Sequence, residues 1–382
     1  MKKILYIHQY FKTPDDGGCI RSYHLAKGLI AAGYQITMIT AHNEGTYQKK
    51  IIQGIHVHYL PVAYDNSFGF IKRVRSFLKF FMRAISLAGK EKDAQLAYVT
   101  TTPLTTALIA LYLKFFKRIP YYFEVGDLWP EVPVKMGLLK NPLLKSAAYL
   151  LEELAYKNAS KLVALSPGIA GYMARKQPGK PLEVIPNMSD MTYFQPTEKD
   201  SSNQLKILYC GAIGVANHLE YLLDAARICH EQKLPVSFTI IGAGGRREAI
   251  AKLAEELPNV EMKDFTNRAG LKPIVDAHDA FYVSFSKVDV LHTGSPNKYF
   301  DGLAAGKLMI LNLGGWLKDL TEMNHCGFAY DPELPLEFVE KIMPYLQNEN
   351  LLIQAQENSL RLAREYSVFQ AQKKLVEFIN GN

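Results

Sequence analysis

The chain alternates short apolar segments with amphipathic helical segments, and it starts this alternation twice. Apolar runs bounded by turn residues predict buried strands, and strands alternating with helices predict parallel sheets covered by helices on both faces. The expected fold is therefore α/β, with two doubly wound, Rossmann-like domains. The predicted strands of the first series occupy residues 2–10, 34–42, 55–61, 94–102, 119–127 and 160–167. Those of the second series occupy residues 205–213, 236–244, 259–265, 280–286 and 308–315.

The segment between the two series, residues 185–204, is rich in turn-forming residues and predicts a linker. A chain of 382 residues is also too long for one ordinary core. We place the first domain at residues 1–190 and the second at residues 203–365, and we expect helical patterns around 335–347 and 350–379. In doubly wound sheets ligands bind at the carboxyl ends of the strands, so the loops there are expected to form the functional site.

Composition restricts the class of protein further. No run of 18 or more apolar residues is present, so no segment is expected to span a membrane. The apolar start is interrupted by His8 and Gln9, which favours a first strand over a signal peptide. The cysteines show no metal-ligand spacing, which favours structural thiols in a reducing cytosol and no metal site. They are Cys19, Cys210, Cys229 and Cys326.

The positive charge is concentrated in one half of the chain. Residues 1–190 contain 25 Lys and Arg against 13 Asp and Glu, whereas residues 191–382 contain 19 against 24. Such asymmetry indicates that the first half faces an anionic surface or ligand. Nucleic acid would also fit this charge, but no recognition motif for it is present, so we expect none as a partner.

Glycine-bearing turns between strands and helices are candidates for binding phosphate groups. Amides at a helix N-terminus attract anions, and glycine lets a ligand approach the backbone, although any one such loop can simply form a tight turn. These turns lie before the first helix, at residues 210–218 and at residues 241–248. The residues assigned to ligand binding in and near these loops are Gly17, Gly18, Gly211, Gly214, Asn217, Gly242, Gly244, Arg246 and Phe265.

A dinucleotide cofactor is the main alternative for the loop at 241–248. Its fingerprint needs three glycines; Gly242 and Gly244 match, but the third position holds Arg247. The loop also follows the second strand of its domain, whereas this fingerprint normally opens a domain. We therefore expect no nicotinamide cofactor.

The most specific candidate is the loop and helix HTGSPNKYFDGLAAGK. Ser295, Pro296 and Asn297 lie where a helix would begin, so its first amides are available to a ligand. Lys298 adds a positive charge beside them, and Asp301 lies on the same helix face. These parts suit a nucleoside diphosphate, with the amides and Lys298 on the phosphates and Asp301 on the ribose hydroxyls. The alternative is an ordinary capped helix with a surface ion pair.

Together these motifs resemble the GT-B fold glycosyltransferases of the GT4 family, and more narrowly the bacterial branch that builds O-antigen and capsule. The resemblance covers most of the chain, and the combination of DLWPE with SPNKYFD is specific. The segments that carry it are GG at 17–18, FEVGDLWPEVPV at 123–134, IPN at 185–187, GAIG at 211–214, IIGAGGRRE at 240–248 and SPNKYFDGLAAGK at 295–307.

The resemblance implies a cleft between the two domains, with the acceptor bound to the first domain and the nucleotide-sugar donor to the second. It also implies that the last helix, residues 366–382, crosses back to pack on the first domain. Transfer would retain the anomeric configuration and need no metal, with a UDP-sugar as donor substrate and no bound cofactor.

Two places depart from the wider family. Many members carry two glutamates separated by seven residues in the donor loop, where this chain has Thr293 and Asp301. Many members also carry an Arg and a Lys after the first strand of the second domain, where GAIGVANHLE has neither. Asp301 can still contact ribose, and we expect Lys298 to replace the missing cations, with Arg246 or His218 as further candidates.

The acceptor side requires that the leaving diphosphate be stabilised and the acceptor hydroxyl be positioned. We assign the first task to Lys298 and the loop amides, as catalytic groups. Glu124 and Asp127 follow a strand of the first domain and are the catalytic candidates for positioning the acceptor or receiving its proton. In retaining transfer, the leaving phosphate oxygen would take that proton. The structural alternatives are that Asp127 caps a turn, that Glu124 pairs with a cation, and that His8 is simply a buried histidine.

Residues 68–90 predict a basic amphipathic helix rich in phenylalanine, with apolar residues at helical spacing. Such helices lie on anionic membrane surfaces, which suits an acceptor glycan linked to a polyprenyl diphosphate. We therefore expect a cytoplasmic protein held peripherally at the inner face of the cell membrane. The alternative is a helix packed on the first sheet with a solvated basic edge. The basic residues of the segment include Lys72, Arg73, Arg75, Lys79 and Arg83.

The sequence thus favours a retaining glycosyltransferase that moves a hexose or an N-acetylated sugar from a UDP-sugar to a lipid-linked glycan during surface polysaccharide synthesis. Two rivals remain open. A UDP-sugar epimerase of the same fold would need more acid and base groups in the cleft. A degenerate transferase acting as an assembly partner is kept open by the missing glutamate and arginine.

Overall fold

The computed structural model describes residues 2–14, 16, 20–65, 68–91, 93–196 and 204–381. Within these residues the chain forms two α/β domains, each with one mainly parallel sheet, so the predicted fold class is confirmed. Gly17 and Gly18, together with Cys19, lie outside the described residues.

The first domain is built on an eight-stranded sheet. Its strands are β1 (Lys3–Ile7), β2 (Gln35–His42), β3 (Gln48–Ile52), β4 (Ile55–Pro61), β5 (Ala94–Thr100), β6 (Tyr121–Val125), β7 (Lys161–Ala164) and β8 (Leu182–Val184). Its helices are α1 (Arg21–Ala31), α2 (Phe70–Ala88), α3 (Thr106–Lys117), α4 (Glu131–Lys135), α5 (Pro142–Asn158) and α6 (Pro167–Lys176). The strand order is β3-β4-β2-β1-β5-β6-β7-β8, and β3 runs antiparallel to β4 while the other pairs are parallel.

The second domain is built on a six-stranded parallel sheet in the order β11-β10-β9-β12-β13-β14. Its strands are β9 (Leu205–Cys210), β10 (Val236–Ile241), β11 (Val260–Lys263), β12 (Ala280–Val283), β13 (Leu308–Leu311) and β14 (Gly327–Ala329). The helices that follow in the chain are α7 (Glu220–Glu231), α8 (Arg247–Ala254), α9 (Arg268–Asp276), α10 (Asn297–Ala304), α11 (Trp316–Met323), α12 (Pro335–Gln347), α13 (Glu349–Glu365) and α14 (Val368–Asn380). A short 3-10 helix, Asp289–Thr293, precedes α10.

Each sheet separates two apolar layers, as expected when strands are buried on both faces. In the first sheet, Leu5 and Ile7 face a layer that includes α2, α3 and α5, whereas Ile4 and Tyr6 face a layer with α1 and α14. The second sheet is divided in the same way, with α7, α8 and α12 on one side and α10, α11 and α13 on the other.

The chain order reverses at one point in each sheet. In the first sheet the strands proceed outward from β1 on one side and restart with β5 on the other, and in the second sheet β9 and β12 have the same relation. Loops diverge at such a reversal and leave a crevice at the carboxyl ends of the strands. The ends of β1, β5 and β6 and the end of β9 therefore face the space between the domains.

The last helix returns to the first domain. The helical pattern predicted at 350–379 breaks at Tyr366, and Ser367 caps α14 by accepting a hydrogen bond from the Gln370 amide. Helix α14 then packs on α1, where Gln372 donates a hydrogen bond to the His24 carbonyl at 2.7 Å. The chain crosses between the domains twice, near Ser189 and near Ser367. The two crossings run side by side, because these residues form a parallel bridge.

No helix in the described part of the chain combines the length and the apolar character that crossing a bilayer requires. Cys210, Cys229 and Cys326 are buried and are not in disulfides.

Candidate functional site

Two adjoining cavities lie between the domains. The first, of about 300 Å³, is lined by the predicted residues Gly211, Gly242, Phe265, Asn297, Lys298 and Asp301. The second, of about 250 Å³, is lined by Glu124, Asp127, Ser295, Pro296 and Asn297, with His8 beside them. Arg21 and Asn297 line both cavities. A ligand that fills the first cavity can therefore present one end to the second.

Lys298 lies in the first turn of α10, close to the end of β9. Its Nζ donates a hydrogen bond to the Tyr209 hydroxyl at 2.8 Å and lies 4.1 Å from the centre of that ring. Burial lowers the pKa of Lys298 to about 8. Gly211 faces this amine so closely that a Cβ there would lie 3.0 Å from the Nζ. The pair forms a cationic corner of the first cavity in which glycine leaves room for a ligand.

The N-terminus of α10 is open, as the sequence suggested. Pro296 occupies the N-cap position, and no side chain accepts a hydrogen bond from the first amides of the helix. Those amides are therefore left to bind a ligand or water.

Asp301 lies one turn further along α10 and also lines the first cavity. Burial raises the pKa of its carboxyl group to about 7, even though the Arg268 guanidinium, with Nη2 3.8 Å away, opposes this shift. A carboxylate with this environment gains from hydrogen-bond donors, so hydroxyl groups of a ligand would bind favourably here.

Arg268 is a site residue that the sequence analysis missed. It is the first residue of α9, is 8% exposed and lines the first cavity, with its guanidinium 4.2 Å from the Tyr193 ring. Its Nη2 lies 3.1 Å from an Asp190 carboxylate oxygen, and its Nη1 hydrogen-bonds to none of the described residues. The neighbouring Phe265, 69% exposed, places an aromatic ring at the rim of the same cavity.

Glycine is required at positions 242 and 244 for a structural reason that the sequence alone does not reveal. A Cβ on Gly242 would lie 1.8 Å from the Gly211 carbonyl oxygen, and one on Gly244, whose φ is +151°, would lie 2.3 Å from the Ile213 carbonyl oxygen. The loop after β10 therefore packs directly on the loop after β9, backbone against backbone. Gly242 lines the first cavity, whereas Gly244 lines neither cavity. The packing of the two loops, and not a free cradle for phosphate, is what requires these glycines.

Three other predicted residues of this region do not line either cavity. The side-chain nitrogen of Asn217 lies 3.5 Å from the Ser284 carbonyl oxygen, and the Ser284 hydroxyl donates a hydrogen bond to the Asn217 backbone carbonyl at 2.6 Å. Arg246 pairs with Glu220 at the other side of the loop. Gly214 lies in the same turn, and a Cβ added to it would lie 3.7 Å from the side-chain oxygen of Asn217. The geometry thus gives Asn217 and Arg246 a role in holding the loops.

Ser295 joins the two domains. Its hydroxyl accepts a hydrogen bond from the Asn187 amide at 3.0 Å, and its carbonyl accepts one from the Asn187 side chain. Close by, Ser166 donates to the carbonyl of Thr293. The loop before α10 is thus hydrogen-bonded to the first domain. Thr293, which occupies the position of one of the two glutamates that many family members carry, lies outside both cavities.

Glu124 is buried at the bottom of the second cavity, where its carboxylate is fully engaged. It accepts from Arg21 Nη2 at 2.8 Å, from the Tyr98 hydroxyl at 2.6 Å and from the Thr100 hydroxyl at 3.2 Å. Burial alone would raise its pKa, but the charge and hydrogen bond of Arg21, with that of Tyr98, hold it below the usual value. A carboxylate held in this way is a poor proton acceptor and instead positions Arg21.

Asp127 differs from Glu124 in the accessibility of its side chain and in the direction of its pKa shift. Its side chain is accessible from the second cavity, where the Thr102 hydroxyl donates a hydrogen bond to it at 3.2 Å. The protein around it raises the pKa of its carboxyl group, although the hydrogen bond from Thr102 opposes this. Of the two predicted carboxylates, Asp127 is the one whose oxygen atoms are open to a hydroxyl group in the second cavity.

His8 lies beside them as a neutral group. Its Nδ1 is 2.7 Å from the Ser22 hydroxyl, and burial lowers its pKa to about 4. It can therefore orient a hydroxyl by hydrogen bonding but carries no charge at neutral pH. No group of three or more His, Cys, Asp or Glu side chains in the described residues is arranged to hold a metal ion.

Comparison with known families assigns each half of the chain. Residues 17–188 match the family described as the glycosyl transferase 4-like domain, and residues 204–348 match the glycosyl transferases group 1 family. No curated protein matches the chain.

Solved structures with the same fold cover the whole chain at low identity. The sucrose-phosphate synthase of Thermosynechococcus elongatus has a TM-score of 0.81 and 15% identity, covering 100% of this chain and 98% of its own. Anabaena HepE in complex with UDP and glucose has a TM-score of 0.70 and 15% identity, covering 100% of both chains. WaaG, a glycosyltransferase involved in lipopolysaccharide biosynthesis, has a TM-score of 0.68 and 13% identity, covering 99% of this chain and 100% of its own. At these identities the likeness shows the GT-B fold.

Proposed function

This chain is a glycosyltransferase that joins a glycosyl transferase 4-like domain to a group 1 domain, and we propose that it moves a sugar from a UDP-sugar to a lipid-linked glycan. The sugar is a hexose or an N-acetylated hexosamine, and the process is the synthesis of a cell-surface polysaccharide such as O-antigen or capsule. The observation that carries the proposal is the pair of adjoining cavities, one with Lys298 and Asp301 and the other with Asp127.

The donor occupies the first cavity. Lys298 and the first amides of α10 bind the diphosphate, because a cation and a helix N-terminus both attract anions. Asp301 accepts hydrogen bonds from the ribose hydroxyls, and the exposed ring of Phe265 stacks on the base. The structure of HepE in complex with UDP supports a uridine nucleotide as the donor of a protein with this fold.

Transfer takes place where the cavities meet. The acceptor hydroxyl lies beside Asp127 in the second cavity and attacks the anomeric carbon from the face that the diphosphate leaves, so the configuration is retained. The leaving phosphate oxygen takes the hydroxyl proton, while Asp127 orients the hydroxyl by accepting its hydrogen bond. Glu124 stays ionised and holds Arg21, and no metal is needed because protein cations face the diphosphate.

Affinity for the donor is expected to have a maximum between about pH 7 and pH 8. Below about pH 7 the Asp301 carboxylate becomes protonated and loses its attraction for hydroxyl donors, and above about pH 8 Lys298 loses its charge. Each loss weakens binding by up to about tenfold per pH unit, since one proton is linked to each step. Calorimetric titration with UDP-glucose and UDP-N-acetylglucosamine from pH 5.5 to 8.5 measures this, because neither the diphosphate diester nor the uracil ring of these ligands titrates in that range. Asp301→Asn should flatten the acid side alone; a parent whose affinity is constant over this range contradicts the assignment of both residues.

The membrane part of the proposal rests on α2, whose predicted apolar residues are divided between a buried and an exposed face. Phe80 and Ala84 pack against the first sheet, and Phe77 is buried against the Tyr64 ring. The exposed side carries an apolar stripe flanked by basic residues, as expected of a helix on an anionic membrane surface. The stripe consists of Ile71, Val74, Leu78 and Met82, and the basic residues beside it are Lys72, Arg75 and Lys79. The predicted helix thus combines both alternatives, since one face packs on the sheet and the other is open.

Two of the five basic residues of this helix donate hydrogen bonds to backbone carbonyls, and the amine of a third, Lys72, lies 3.6 Å from the centre of the Phe68 ring. Arg73 Nε donates to the Phe68 carbonyl at 2.8 Å, and Arg83 Nη1 donates to the Pro61 carbonyl at 2.7 Å. We therefore expect replacement of the other three, Lys72, Arg75 and Lys79, by Gln to weaken binding to anionic vesicles about 100-fold, because each cation near the surface contributes about 1 kcal/mol.

Co-sedimentation with vesicles of phosphatidylglycerol and phosphatidylcholine measures this effect. The matched control replaces three exposed bases of the second domain, Lys233, Lys252 and Arg361, by Gln, with the same change of net charge. If the control variant is released as readily as the α2 variant, the attraction is not local to α2 and the assignment of this surface is wrong. Localisation at the inner face of the cell membrane follows from this surface together with the cytoplasmic supply of nucleotide sugars.

Turnover of radiolabelled UDP-sugars, with and without polyprenyl-diphosphate-linked acceptor, tests the reaction itself. We expect transfer of label to the lipid fraction only when the acceptor is present, and UDP release that is much faster with the acceptor than by slow hydrolysis without it. Conversion of the donor sugar without an acceptor would instead identify a UDP-sugar epimerase. The absence of UDP release with every donor and acceptor would identify a non-catalytic assembly partner.

A further inference from the structure

We propose that Arg21 of the first domain pairs with the donor diphosphate as it leaves, so that the diphosphate is gripped from both domains. This role rests on the proposed transfer from a UDP-sugar. Arg21 is the first residue of α1, is 3% exposed and lines both cavities, the donor cavity together with Lys298 and the acceptor cavity together with Asp127. The bond that breaks in the reaction lies at this junction.

The guanidinium of Arg21 is fixed at two of its three nitrogens. Nη1 donates to the Pro186 carbonyl at 2.6 Å, and Nη2 donates to the Glu124 carboxylate at 2.8 Å. The third nitrogen, Nε, is buried and hydrogen-bonds to none of the described residues. A buried donor without a partner is costly, so an acceptor supplied by a ligand would bind there favourably. The two anchored nitrogens mean that little reorganisation is needed when charge develops beside the third.

A purely structural ion pair between Arg21 and Glu124 explains less of the geometry. Glu124 already accepts from the hydroxyls of Tyr98 and Thr100, so its charge is stabilised by two further donors. An arginine whose only role is to pair with Glu124 would not need to line the donor cavity from the side of the first domain, opposite the nucleotide-binding domain.

The composition of the donor cavity points the same way. The loop after β9 lacks the Arg and Lys that many relatives carry there, and Lys298 is the one cation that α10 supplies to the cavity. Arg268 faces two carboxylates, those of Asp190 and Asp301, whereas Arg21 faces one, that of Glu124, whose charge two hydroxyl groups also stabilise. Arg21 therefore provides the second positive charge for the diphosphate, from the first domain.

The step balances with the groups present. The bond between the anomeric carbon and the diphosphate oxygen breaks, and its electron pair stays on that oxygen, where Arg21 and Lys298 stabilise the added charge. The acceptor oxygen forms the new bond to the anomeric carbon, and its proton passes to the leaving phosphate oxygen. UDP is released, and no oxidant, reductant or further reactant is needed.

The test compares Glu124→Gln with the double variant Arg21→Gln/Glu124→Gln, because removing Arg21 alone leaves a buried carboxylate without its partner and can impair folding. The measurement is UDP release by hydrolysis of UDP-glucose and UDP-N-acetylglucosamine without acceptor, together with the dissociation constant of each donor. We expect kcat of the double variant to be about 100-fold below that of Glu124→Gln, with a dissociation constant within about fivefold, since the interaction grows as charge develops. Arg21→Lys in the Glu124→Gln background should have a kcat about tenfold above that of the double variant Arg21→Gln/Glu124→Gln.

A matched control separates this role from a general effect of losing an arginine. Arg361→Gln, which replaces an exposed arginine on α13, should match the parent in UDP release and in donor affinity. An active parent in which the double variant and Glu124→Gln have equal kcat values overturns the role of Arg21 alone. A parent that neither binds these donors nor releases UDP overturns the proposed function and the role of Arg21 with it.

Discussion

Lys298→Ala is expected to raise the dissociation constant of UDP-sugars by about 10- to 150-fold and to lower kcat by about 100-fold or more. The amine is the cation that α10 places in the donor cavity, and it is already held near the β9 loop by the Tyr209 hydroxyl. Loss of a charge-assisted hydrogen bond to a phosphate costs about 1.5–3 kcal/mol in binding. Loss of a group that stabilises developing charge costs a further factor of about 100–1000 in rate.

Thermal-shift titration and calorimetry with UDP-glucose and UDP-N-acetylglucosamine measure the binding effect, and UDP release measures the rate. Lys252→Ala, an exposed lysine on α8, is the matched control and should bind the donor as the parent does. Equal affinity of Lys298→Ala and the parent would remove Lys298 from the diphosphate site and leave Arg21 and Arg268 as the cations of the cavity.

Gly242→Ala is expected to destabilise the second domain by at least about 3 kcal/mol, more than is usual for an overpacked side chain. The added methyl group would overlap the Gly211 carbonyl oxygen, which lies 1.8 Å from its position, and this neighbour is backbone in a loop packed on both sides. For a domain of this size such a loss lowers the Tm by roughly 6–12 °C.

Gly245→Ala is the control for Gly242→Ala, because a Cβ at position 245 meets nothing within 4 Å although it lies in the same loop. Differential scanning calorimetry of both variants should show a lower transition for Gly242→Ala and an unchanged one for Gly245→Ala. Similar transition temperatures for the two variants would mean that the loops after β9 and β10 separate easily, and their packing would have to be revised.

The central strands of both sheets could be predicted because they are buried on both faces and read as continuous apolar runs. The elements missed have weaker local signals. Strand β3 (QKKII) is an exposed edge, β8 and β14 have three residues each, and α9 contains Gly270 and Pro273. Pairing with a neighbouring strand or packing on the sheet stabilises these segments, and neither is visible in a local pattern.

The site was predicted best where one segment supplies several groups. Lys298 and Asp301 are three residues apart, so helix geometry alone places them together. The signals for Arg21 and Arg268 were only their positions, after the first glycine loop and three residues after Phe265. Their partners are distant in the chain, since Arg21 contacts Pro186 and Glu124. Contacts between separate loops cannot be deduced from spacing.

The glycines show a second limit. A glycine between a strand and a helix can admit a ligand or admit another backbone segment, and the sequence looks the same in both cases. Gly211 leaves room beside the Lys298 amine, whereas Gly242 and Gly244 leave room for the neighbouring loop. Only the positions of the surrounding atoms separate these reasons.

The return of α14 to the first domain determines how halves of such proteins can be exchanged. A chimaera made by one cut near residue 190 would take along a last helix shaped for a different α1, where Gln372 must fit against Gly28 and His24. Two junctions are needed, one at Ser189 and one at Ser367, and these two points already lie next to each other. A second domain inserted between them would leave the first domain with its own helix, so the proposed donor and acceptor preferences could be recombined as separate modules.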